Sequence, residues 1–308
     1  MNATLLQSPA PKPFSKELDP ALCYESRGHR EASARLDLMI QHRTLGVLTG
    51  EVGGGKSTLI RRLFASLDPM AYLPIYLCYA SLKPREFYGG LLEAVGVEPV
   101  YTVSRARKLW QEVVRSRFAP GERTMVVVID EAHEMSEAML LELRFALNYN
   151  IDSASLFPLI LVGQPELRKL LRLKKYEATV QRIGMQYHLS GMSKEETSAY
   201  IRHHMTVSRT EKPVFAESAL SRIFAASQGL PRVVNQICTQ ILLDAAARNP
   251  VAADAHQMWG GERRTMIAIE LLWNAMLQNR LLQAVLQPGQ LLVPIKLGPH
   301  DVATVVVQ

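Results

Sequence analysis

The chain has 308 residues, of which 48% are hydrophobic and 21% are charged. This composition is that of a folded globular protein and excludes a disordered chain, while the length exceeds one ordinary compact unit. The net charge of +6 permits contact with nucleic acid or an anionic surface but requires neither, because the basic residues are scattered along the sequence.

Several classes of protein are excluded by what the sequence lacks. The three cysteines, Cys23, Cys78 and Cys238, form no CxxC pair and have no histidines at metal-ligand spacing, so we expect buried thiols rather than a zinc site. The N-terminal segment does not have the pattern of a secretory signal, and no window reaches the ~18 consecutive apolar residues of a membrane span. We therefore expect a cytoplasmic protein without a membrane span.

In chain order, the proline-rich residues 1–20 predict an extended arm, and residues 25–41 predict a helix. Strand and helix signals then alternate as far as residue 191. Continuous apolar strands separated by helices are typical of a parallel sheet that is covered on both faces. The predicted fold is α/β, a three-layer αβα domain over residues 21–191 with a central five-stranded parallel sheet, its strands over 44–49, 73–79, 124–129, 157–162 and 185–189.

The strand signals stop after residue 191. Residues 192–250 predict three helices, which form a small all-helical domain. Residues 251–308 have a different character and are predicted to be an atypical tail, with one possible helix over 266–286 and an apolar, β-prone stretch over 291–308.

A glycine-rich segment joins the first predicted strand to the next helix. It reads Gly50-Glu-Val-Gly-Gly-Gly-Lys56-Ser57 and matches the phosphate-loop pattern G-x-x-x-x-G-K-[ST]. The glycines let successive backbone N–H groups point at phosphates, and the helix that follows adds its positive end. The lysine supplies charge to the β- and γ-phosphates, and the serine hydroxyl can hold Mg²⁺. The predicted cofactors are therefore ATP and Mg²⁺.

Two acidic residues end the third predicted strand. Asp130 and Glu131 follow the run Met125-Val-Val-Val-Ile, at the sheet edge where ligands of α/β proteins bind. We expect Asp130 to hold Mg²⁺ together with Ser57, and Glu131 to act as general base on the attacking water. The predicted nucleotide-binding residues are Gly50, Gly53, Gly54, Gly55, Lys56, Ser57, Thr58 and Asp130.

The letters Asp-Glu-Ala-His at 130–133 also occur in a class of helicases. Those enzymes need two tandem nucleotide folds, whereas the residues after 191 predict a helical bundle. We therefore do not expect a helicase.

With these motifs in hand, the chain resembles AAA+ ATPases, and among them the group of ExeA-type secretion ATPases and of transposition regulators of the TnsC and Mu B kind. The resemblance runs from about residue 13 to about residue 247. It rests on Ser26-Arg-Gly-His-Arg-Glu-Ala, Leu48-Thr-Gly-Glu-Val-Gly-Gly-Gly-Lys-Ser, Asp130-Glu-Ala-His, Leu143-Arg-Phe-Ala-Leu-Asn, Leu161-Val-Gly-Gln-Pro-Glu-Leu, Gln181-Arg-Ile and Gly229-Leu-Pro-Arg-Val-Val-Asn.

The resemblance implies further catalytic residues beside Lys56 and Glu131. Gln164 matches a polar sensor that orients the attacking water, although it could instead cap the helix that begins near Pro165. Arg232 matches a second sensor that touches the γ-phosphate from the helical lid, although it could be a solvated charge. Arg182 matches a finger that reaches a neighbouring subunit's nucleotide, in competition with Arg168, Arg172, Lys174 and Lys175. His29 and Arg30 match a segment that borders the adenine.

The resemblance also implies an oligomer, either a ring or a helical filament, and leaves two biological roles open. The first is an ATPase that binds duplex DNA and regulates target selection for a transposase, which Ser81-Leu-Lys-Pro-Arg-Glu-Phe-Tyr favours. The alternative is a secretion or assembly ATPase acting on envelope machinery, whose relatives carry a membrane span that we do not expect here. If DNA is bound, we expect contacts to phosphates rather than to bases.

Overall fold

A computed structural model of the protein describes residues 12–15, 18–79, 81–117, 121–147, 155, 157–208, 214–248, 291–296 and 302–307. The chain divides into two compact units. The larger consists of Glu17–Ser193 together with Leu230–Arg232. The smaller consists of Met1–Lys16, Lys194–Gly229 and Val233–Gln308. Within the described residues, no helix combines the length and the apolar character that crossing a membrane requires.

The larger unit is built on one five-stranded sheet. Its strands, numbered in chain order, have the spatial order β2-β3-β4-β1-β5, and every neighbouring pair is parallel. All five strands therefore end at the same edge, so the loops that follow them meet there. The strands are β1 Leu45–Gly50, β2 Tyr72–Cys78, β3 Thr124–Asp130, β4 Leu159–Gly163 and β5 Ile183–Leu189.

Seven helices of the described residues accompany this sheet. The first shows how the sequence sets a boundary: the Ser26 hydroxyl accepts a hydrogen bond from the His29 N–H and caps the helix start, and Arg43 ends it in a left-handed conformation. The helices are α1 Arg27–His42, α2 Lys56–Ser66, α3 Pro84–Ala94, α4 Val103–Ser116, α5 Glu137–Ala146, α6 Glu166–Leu171 and α7 Glu177–Val180.

The core lies on both faces of the sheet because side chains alternate along each strand. On β3, Val127 and Ile129 join a cluster with residues of α3, α4 and α5. Val126 and Val128 point the other way, into a cluster with residues of α1 and α2. This arrangement confirms the predicted three-layer αβα fold with a parallel five-stranded sheet.

Strand β2 departs from the pattern expected of a strand buried on both faces. It is the edge strand, and its residues alternate, with Ile75 and Leu77 buried while Tyr76 and Cys78 are exposed. The prediction of a buried thiol is therefore wrong for Cys78, because an apolar run cannot distinguish an edge strand from a central one. It is right for Cys238, which is buried.

The smaller unit contains the helices α8 Lys194–Val207 and α9 Glu217–Ser227 and most of α10 Pro231–Arg248. Phe14, upstream of the sheet, stacks on His204 and meets Phe215 edge-on. Strands β6 Leu291–Lys296 and β7 Val302–Val307 pair antiparallel within the stretch expected to be β-prone. The helix predicted over 266–286 lies outside the described residues.

Candidate nucleotide-binding site

The phosphate loop joins β1 to α2 at the edge where the strands end. Lys56 is the first residue of α2. Its Nζ donates hydrogen bonds to the backbone carbonyl oxygens of Gly50, at 2.6 Å, and of Glu51, at 3.0 Å. The loop is therefore closed around its own lysine, which holds the ammonium group at the centre of the turn.

Two glycines of this loop could not be replaced without displacing neighbouring groups. Gly53 has a φ of 78°, and a Cβ there would lie 2.6 Å from the Arg232 Cβ. Gly55 has a φ of 98°, and a Cβ there would lie 2.7 Å from Nε2 of His29. Both the backbone conformation and the space require glycine, and the result is a cradle lined by backbone atoms.

The ammonium group of Lys56 is partly removed from water, which disfavours its charged form. Burial lowers the pKa of its ammonium group, while the carboxylates of Glu131, Asp130 and Glu51 oppose that shift and the positive charge of Arg232 adds to it. A buried cation whose charged form is disfavoured in this way is well suited to an anionic ligand.

Asp130 ends β3 beside this loop and is buried. Its Oδ1 accepts the backbone N–H of Glu131 at 2.8 Å, and its Oδ2 accepts the hydroxyl of Tyr76 at 2.5 Å. Burial and the hydrogen bond to Asp130 raise the pKa of Tyr76 well above its ordinary value, so the phenol remains a donor. The carboxylate of Asp130 is thus fixed from two sides.

The backbone of Glu131 adopts φ 52° and ψ 36°, a left-handed conformation that is uncommon for residues other than glycine, asparagine and aspartate. Such conformations cost about 1–3 kcal/mol and persist where the surrounding structure imposes them, often at functional sites. Here the conformation turns the chain sharply after β3 and leaves the carboxylate of Glu131 half exposed.

His133 connects Glu131 to the end of β4. Its Nδ1 lies 3.4 Å from Oε2 of Glu131 and accepts the backbone N–H of Gln164 at 3.5 Å. Gln164 follows Gly163, which is paired with Thr49 of β1, so it lies at the same sheet edge as the phosphate loop. The structure therefore brings the predicted base and the predicted polar sensor close together.

Two further residues reach the loop from outside the sheet. The N–H of Arg232 donates to the Gly53 carbonyl at 3.1 Å, so the start of α10 is attached to the phosphate loop. Nδ1 of His29 hydrogen-bonds the Ser26 hydroxyl at 2.8 Å, and its Nε2 lies 3.4 Å from the Gly55 carbonyl. With the proton on Nε2, the serine donates to Nδ1 and the ring donates to Gly55.

Arg182 is not part of this cluster. It immediately precedes β5, whose first residue is paired with Leu45 and whose last is paired with Gly50. At about 3.3 Å per residue, the Arg182 backbone is about 20 Å from the end of β1. Its side chain therefore cannot reach the phosphate loop of its own chain.

With this geometry established, comparison with known proteins identifies the domain type. Residues 38–171 match the family model described as an AAA domain. Those residues contain the phosphate loop, Asp130, Glu131 and Gln164. This part of the chain is therefore similar in sequence to AAA domains.

A curated relative extends the likeness beyond the AAA domain. The General secretion pathway protein A of Aeromonas hydrophila is 34% identical over 241 residues, which are 77% of this chain and 43% of that protein. This chain therefore matches less than half of its relative's length. The likeness shows homology to an ExeA-type AAA+ ATPase. It does not confirm the TnsC and Mu B side of the predicted resemblance.

Solved structures support the fold. Cdc6p from Pyrobaculum aerophilum has a TM-score of 0.59 and 16% identity, covering 78% of this chain and 66% of its own. ORC2 from Aeropyrum pernix, solved in ADPNP–ADP complexes, has a TM-score of 0.56 and 16% identity, covering 83% and 70%. At this identity the likeness concerns the fold alone. Together with the AAA domain, it confirms the prediction of an ATP-hydrolysing P-loop domain.

The described side chains fit a nucleotide with Mg²⁺. Gly53 and Gly55 add no side chains to the loop, which leaves backbone N–H groups to bind phosphates, and Lys56 supplies a buried positive charge. The carboxylate of Asp130 and the exposed hydroxyl of Ser57 are oxygen ligands of the type that Mg²⁺ prefers. Thr58 follows Ser57 in the first turn of α2.

Sequence reasoning missed two residues of this site. In the sequence Tyr76 is one position of an apolar strand, and only the pairing of β2 with β3 brings its hydroxyl to Asp130. In the sequence His133 stands out only as the last residue of the Asp-Glu-Ala-His motif. Its spacing from Glu131 could have suggested a contact, but its link to Gln164 depends on the sheet.

Proposed function

We propose that this chain is the nucleotide-driven module of an ExeA-type assembly ATPase, which oligomerises with ATP and is released by hydrolysis. The observation that carries this proposal is the 34% identity to General secretion pathway protein A over 241 residues. The chain spans 43% of that relative. An envelope partner is therefore proposed from the sequence likeness over that part alone. A cytoplasmic location belongs to the same proposal, since ATP is the expected substrate.

Within one subunit, the described residues divide the work of hydrolysis. Lys56 and the N–H groups of the loop bind the β- and γ-phosphates, and Ser57 and Asp130 hold Mg²⁺, which neutralises phosphate charge. Glu131 takes a proton from the water whose oxygen attacks the γ-phosphorus as the bond to the β-phosphate oxygen breaks. Gln164 orients that water.

The helical residues over 192–250 act as a lid in this proposal. Arg232 is the second residue of α10, where a positive side chain opposes the helix dipole and is unfavourable without an anionic partner. Its N–H already bonds to Gly53, which supports a contact between its guanidinium group and the γ-phosphate. ADP would then leave Arg232 without that partner.

Arg182 completes the site of a neighbouring subunit. This role is supported by its position about 20 Å along the sheet from the phosphate loop of its own chain. An arginine supplied by a second subunit stabilises charge in the transition state and makes hydrolysis depend on assembly. Arg168, Arg172, Lys174 and Lys175 remain candidates for the same role.

The decisive experiment mixes two inactive variants. Lys56→Ala lacks a working phosphate loop but retains Arg182, and Arg182→Ala retains the loop but lacks the arginine. If the site is shared, the mixture should regain ATPase activity that neither variant has alone, up to roughly a quarter of the wild-type rate at equal amounts. A mixture as inactive as its components would contradict the shared site.

Light scattering tests the assembly part of the proposal. Wild-type protein with a non-hydrolysable ATP analogue should show a larger mass than with ADP, and Lys56→Ala should show no difference between the two nucleotides. A mass that does not depend on nucleotide would contradict an assembly role while leaving the ATPase activity intact.

A second candidate, regulation of a transposase on duplex DNA, is favoured by the charge of α4. This helix carries four basic residues against one acidic residue. Arg107 is held by Glu142, and Arg117, which follows the helix, donates to the Val95 carbonyl. Exposed Arg105 and Lys108 are therefore the better candidates for phosphate contacts.

The steady-state ATPase rate with and without duplex DNA, at low and moderate salt, separates the two roles. Lys56→Ala serves as the blank. Stimulation that falls with salt and is reduced in Arg105→Ala/Lys108→Ala would support the DNA role, since each lost phosphate contact lowers the salt slope by about one. A rate indifferent to DNA but above the blank would favour the assembly role.

A further inference from the structure

Tyr76 lies at the exposed edge of the sheet and yet makes a short hydrogen bond to the buried carboxylate of Asp130. In the register of β2 and β3, Tyr76 is paired with Val128 and Cys78 with Asp130. The tyrosine side chain therefore extends along the strand direction, beyond Val128, and its hydroxyl reaches Oδ2 of Asp130 at 2.5 Å. The backbone pairing of the two strands does not by itself require the tyrosine side chain to point toward Asp130.

The ring of Tyr76 is held by the helix that follows the phosphate loop. Phe64 of α2 meets it edge-on, with ring centroids 6.5 Å apart and planes at 89°. The hydroxyl is thus positioned from two elements, β2 through its backbone and α2 through this ring contact. Since α2 also carries Lys56 and Ser57, the phenol is fixed relative to the residues that bind the phosphates.

The carboxylate of Asp130 receives one donor on each oxygen. Glu131 N–H binds Oδ1 and Tyr76 binds Oδ2, and each oxygen keeps a second lone pair. Two donors, one on each oxygen, restrict rotation of the carboxylate about the Cβ–Cγ bond. Without the phenol, the backbone donor alone would restrain that rotation.

We propose that Tyr76 is a positioning residue for the divalent cation, orienting the Asp130 carboxylate so that a free lone pair faces the cation beside Ser57. This inference rests on the proposed role of Asp130 in holding Mg²⁺. Tyr76 itself does not touch the cation or the nucleotide. Its effect is on how much Mg²⁺ is needed, and nucleotide binding without Mg²⁺ does not depend on it.

The exposure of Tyr76 separates this role from a purely structural one. Its side chain is 48% exposed, so water could satisfy the hydroxyl if packing were its only task. Replacing it by phenylalanine keeps the ring against Phe64 and removes only the hydrogen bond. Tyr79, which immediately follows the same strand and is 40% exposed, offers a matched control.

The test measures binding of a fluorescent ATP analogue to wild type, Tyr76→Phe, Tyr79→Phe and Asp130→Ala, first in EDTA and then during titration with Mg²⁺. We expect wild type, Tyr76→Phe and Tyr79→Phe to bind alike in EDTA. The Mg²⁺ concentration that gives half of the increase in affinity for the ATP analogue should rise about tenfold in Tyr76→Phe, because a hydrogen bond to a charged group is lost. It should stay unchanged in Tyr79→Phe. Asp130→Ala should lose the Mg²⁺ effect.

Two results would overturn the inference. Tyr76→Phe could titrate with Mg²⁺ like wild type, or it could lose affinity equally in EDTA and in Mg²⁺, which would mean that the tyrosine supports the loop in general. An undiminished Mg²⁺ effect in Asp130→Ala would instead remove the proposed role of Asp130, and the inference with it. Melting temperatures of all variants check that each one is folded.

Discussion

Lys56 donates hydrogen bonds to two carbonyl groups of its own loop, and nearby carboxylates also favour its charge. Carbonyl oxygens carry partial charge, so they compensate incompletely for the water that the ammonium group has lost, and the pKa of Lys56 is lowered by burial. Phosphate oxygens are full anions and favour the charged lysine more strongly. The residue therefore favours binding of the ligand that restores its preferred charge state.

Lys56→Ala should weaken ATP binding by roughly 100-fold or more, because removing one partner of a buried charged contact costs about 3 kcal/mol. Titration with a fluorescent ATP analogue measures the loss. Lys169→Ala, which removes an exposed lysine of α6, is the matched control and should bind like wild type. Unchanged affinity in Lys56→Ala would remove the lysine from the site.

Glu131 and Glu134 provide a test of which carboxylate is the base. Glu131 follows Asp130 and lies on the Nδ1 side of His133, whereas Glu134 lies on the Nε2 side. Glu131→Gln should lower the hydrolysis rate by about 100-fold to 10,000-fold while ATP still binds, as expected for loss of a general base. Glu134→Gln should keep most of the rate. A Glu131→Gln protein with normal turnover would exclude that assignment.

Among the elements, the strands of the sheet were the most predictable, because five apolar runs with intervening helix signals admit few other arrangements. The phosphate-loop residues were predictable because their motif is contiguous in sequence. What depends on strand order was not predictable. The exposure of Cys78 and the contact of Tyr76 with Asp130 follow from β2 being the edge strand beside β3, which no local pattern encodes.

A buried carboxylate joins three helices in a way that sequence reasoning also missed. Glu142 of α5 accepts the Tyr88 hydroxyl of α3 at 2.7 Å and two hydrogen bonds from Arg107 of α4, both at 2.6 Å. The guanidinium group of Arg107 also lies over the Phe145 ring, 4.9 Å from its centroid. Arg107 is therefore a structural residue.

Arg107→Ala should destabilise the protein by about 2–4 kcal/mol, because it leaves a buried carboxylate with fewer partners. Chemical denaturation measures the change. Arg105→Ala, two residues earlier on the same helix and exposed, should shift stability by less than about 0.5 kcal/mol. Equal stability of the two variants would show that the Glu142 contacts contribute little.

At the scale of the whole molecule, stability should depend on pH through His204. Burial, together with the nearby His203, lowers the pKa of His204 to about 4, from 6.5 in the unfolded chain. Its folded pKa is depressed, so the unfolded state binds a proton first as the pH falls. The stability associated with neutral His204 is complete above pH 6.5 and is lost as the pH falls toward 4.

The expected loss is roughly 2 kcal/mol between pH 7 and pH 5, a window above the ordinary titration of carboxylates. Calorimetry at several pH values, on wild type and His204→Leu, measures it. The variant should be less sensitive to pH in this window, whereas His203→Gln should keep most of the dependence. The same pH dependence in wild type and His204→Leu would assign the effect to other groups.

The loop closed around Lys56 has a consequence for the speed of nucleotide capture. Because the turn already has its shape before ligand arrives, capture requires the exchange of two hydrogen bonds but no folding of the segment. Association should therefore follow a single exponential whose rate rises linearly with ATP concentration, without the plateau produced by a slow rearrangement. Such a module responds to ATP as fast as encounters occur, so the timing of its cycle is set by the steps after capture.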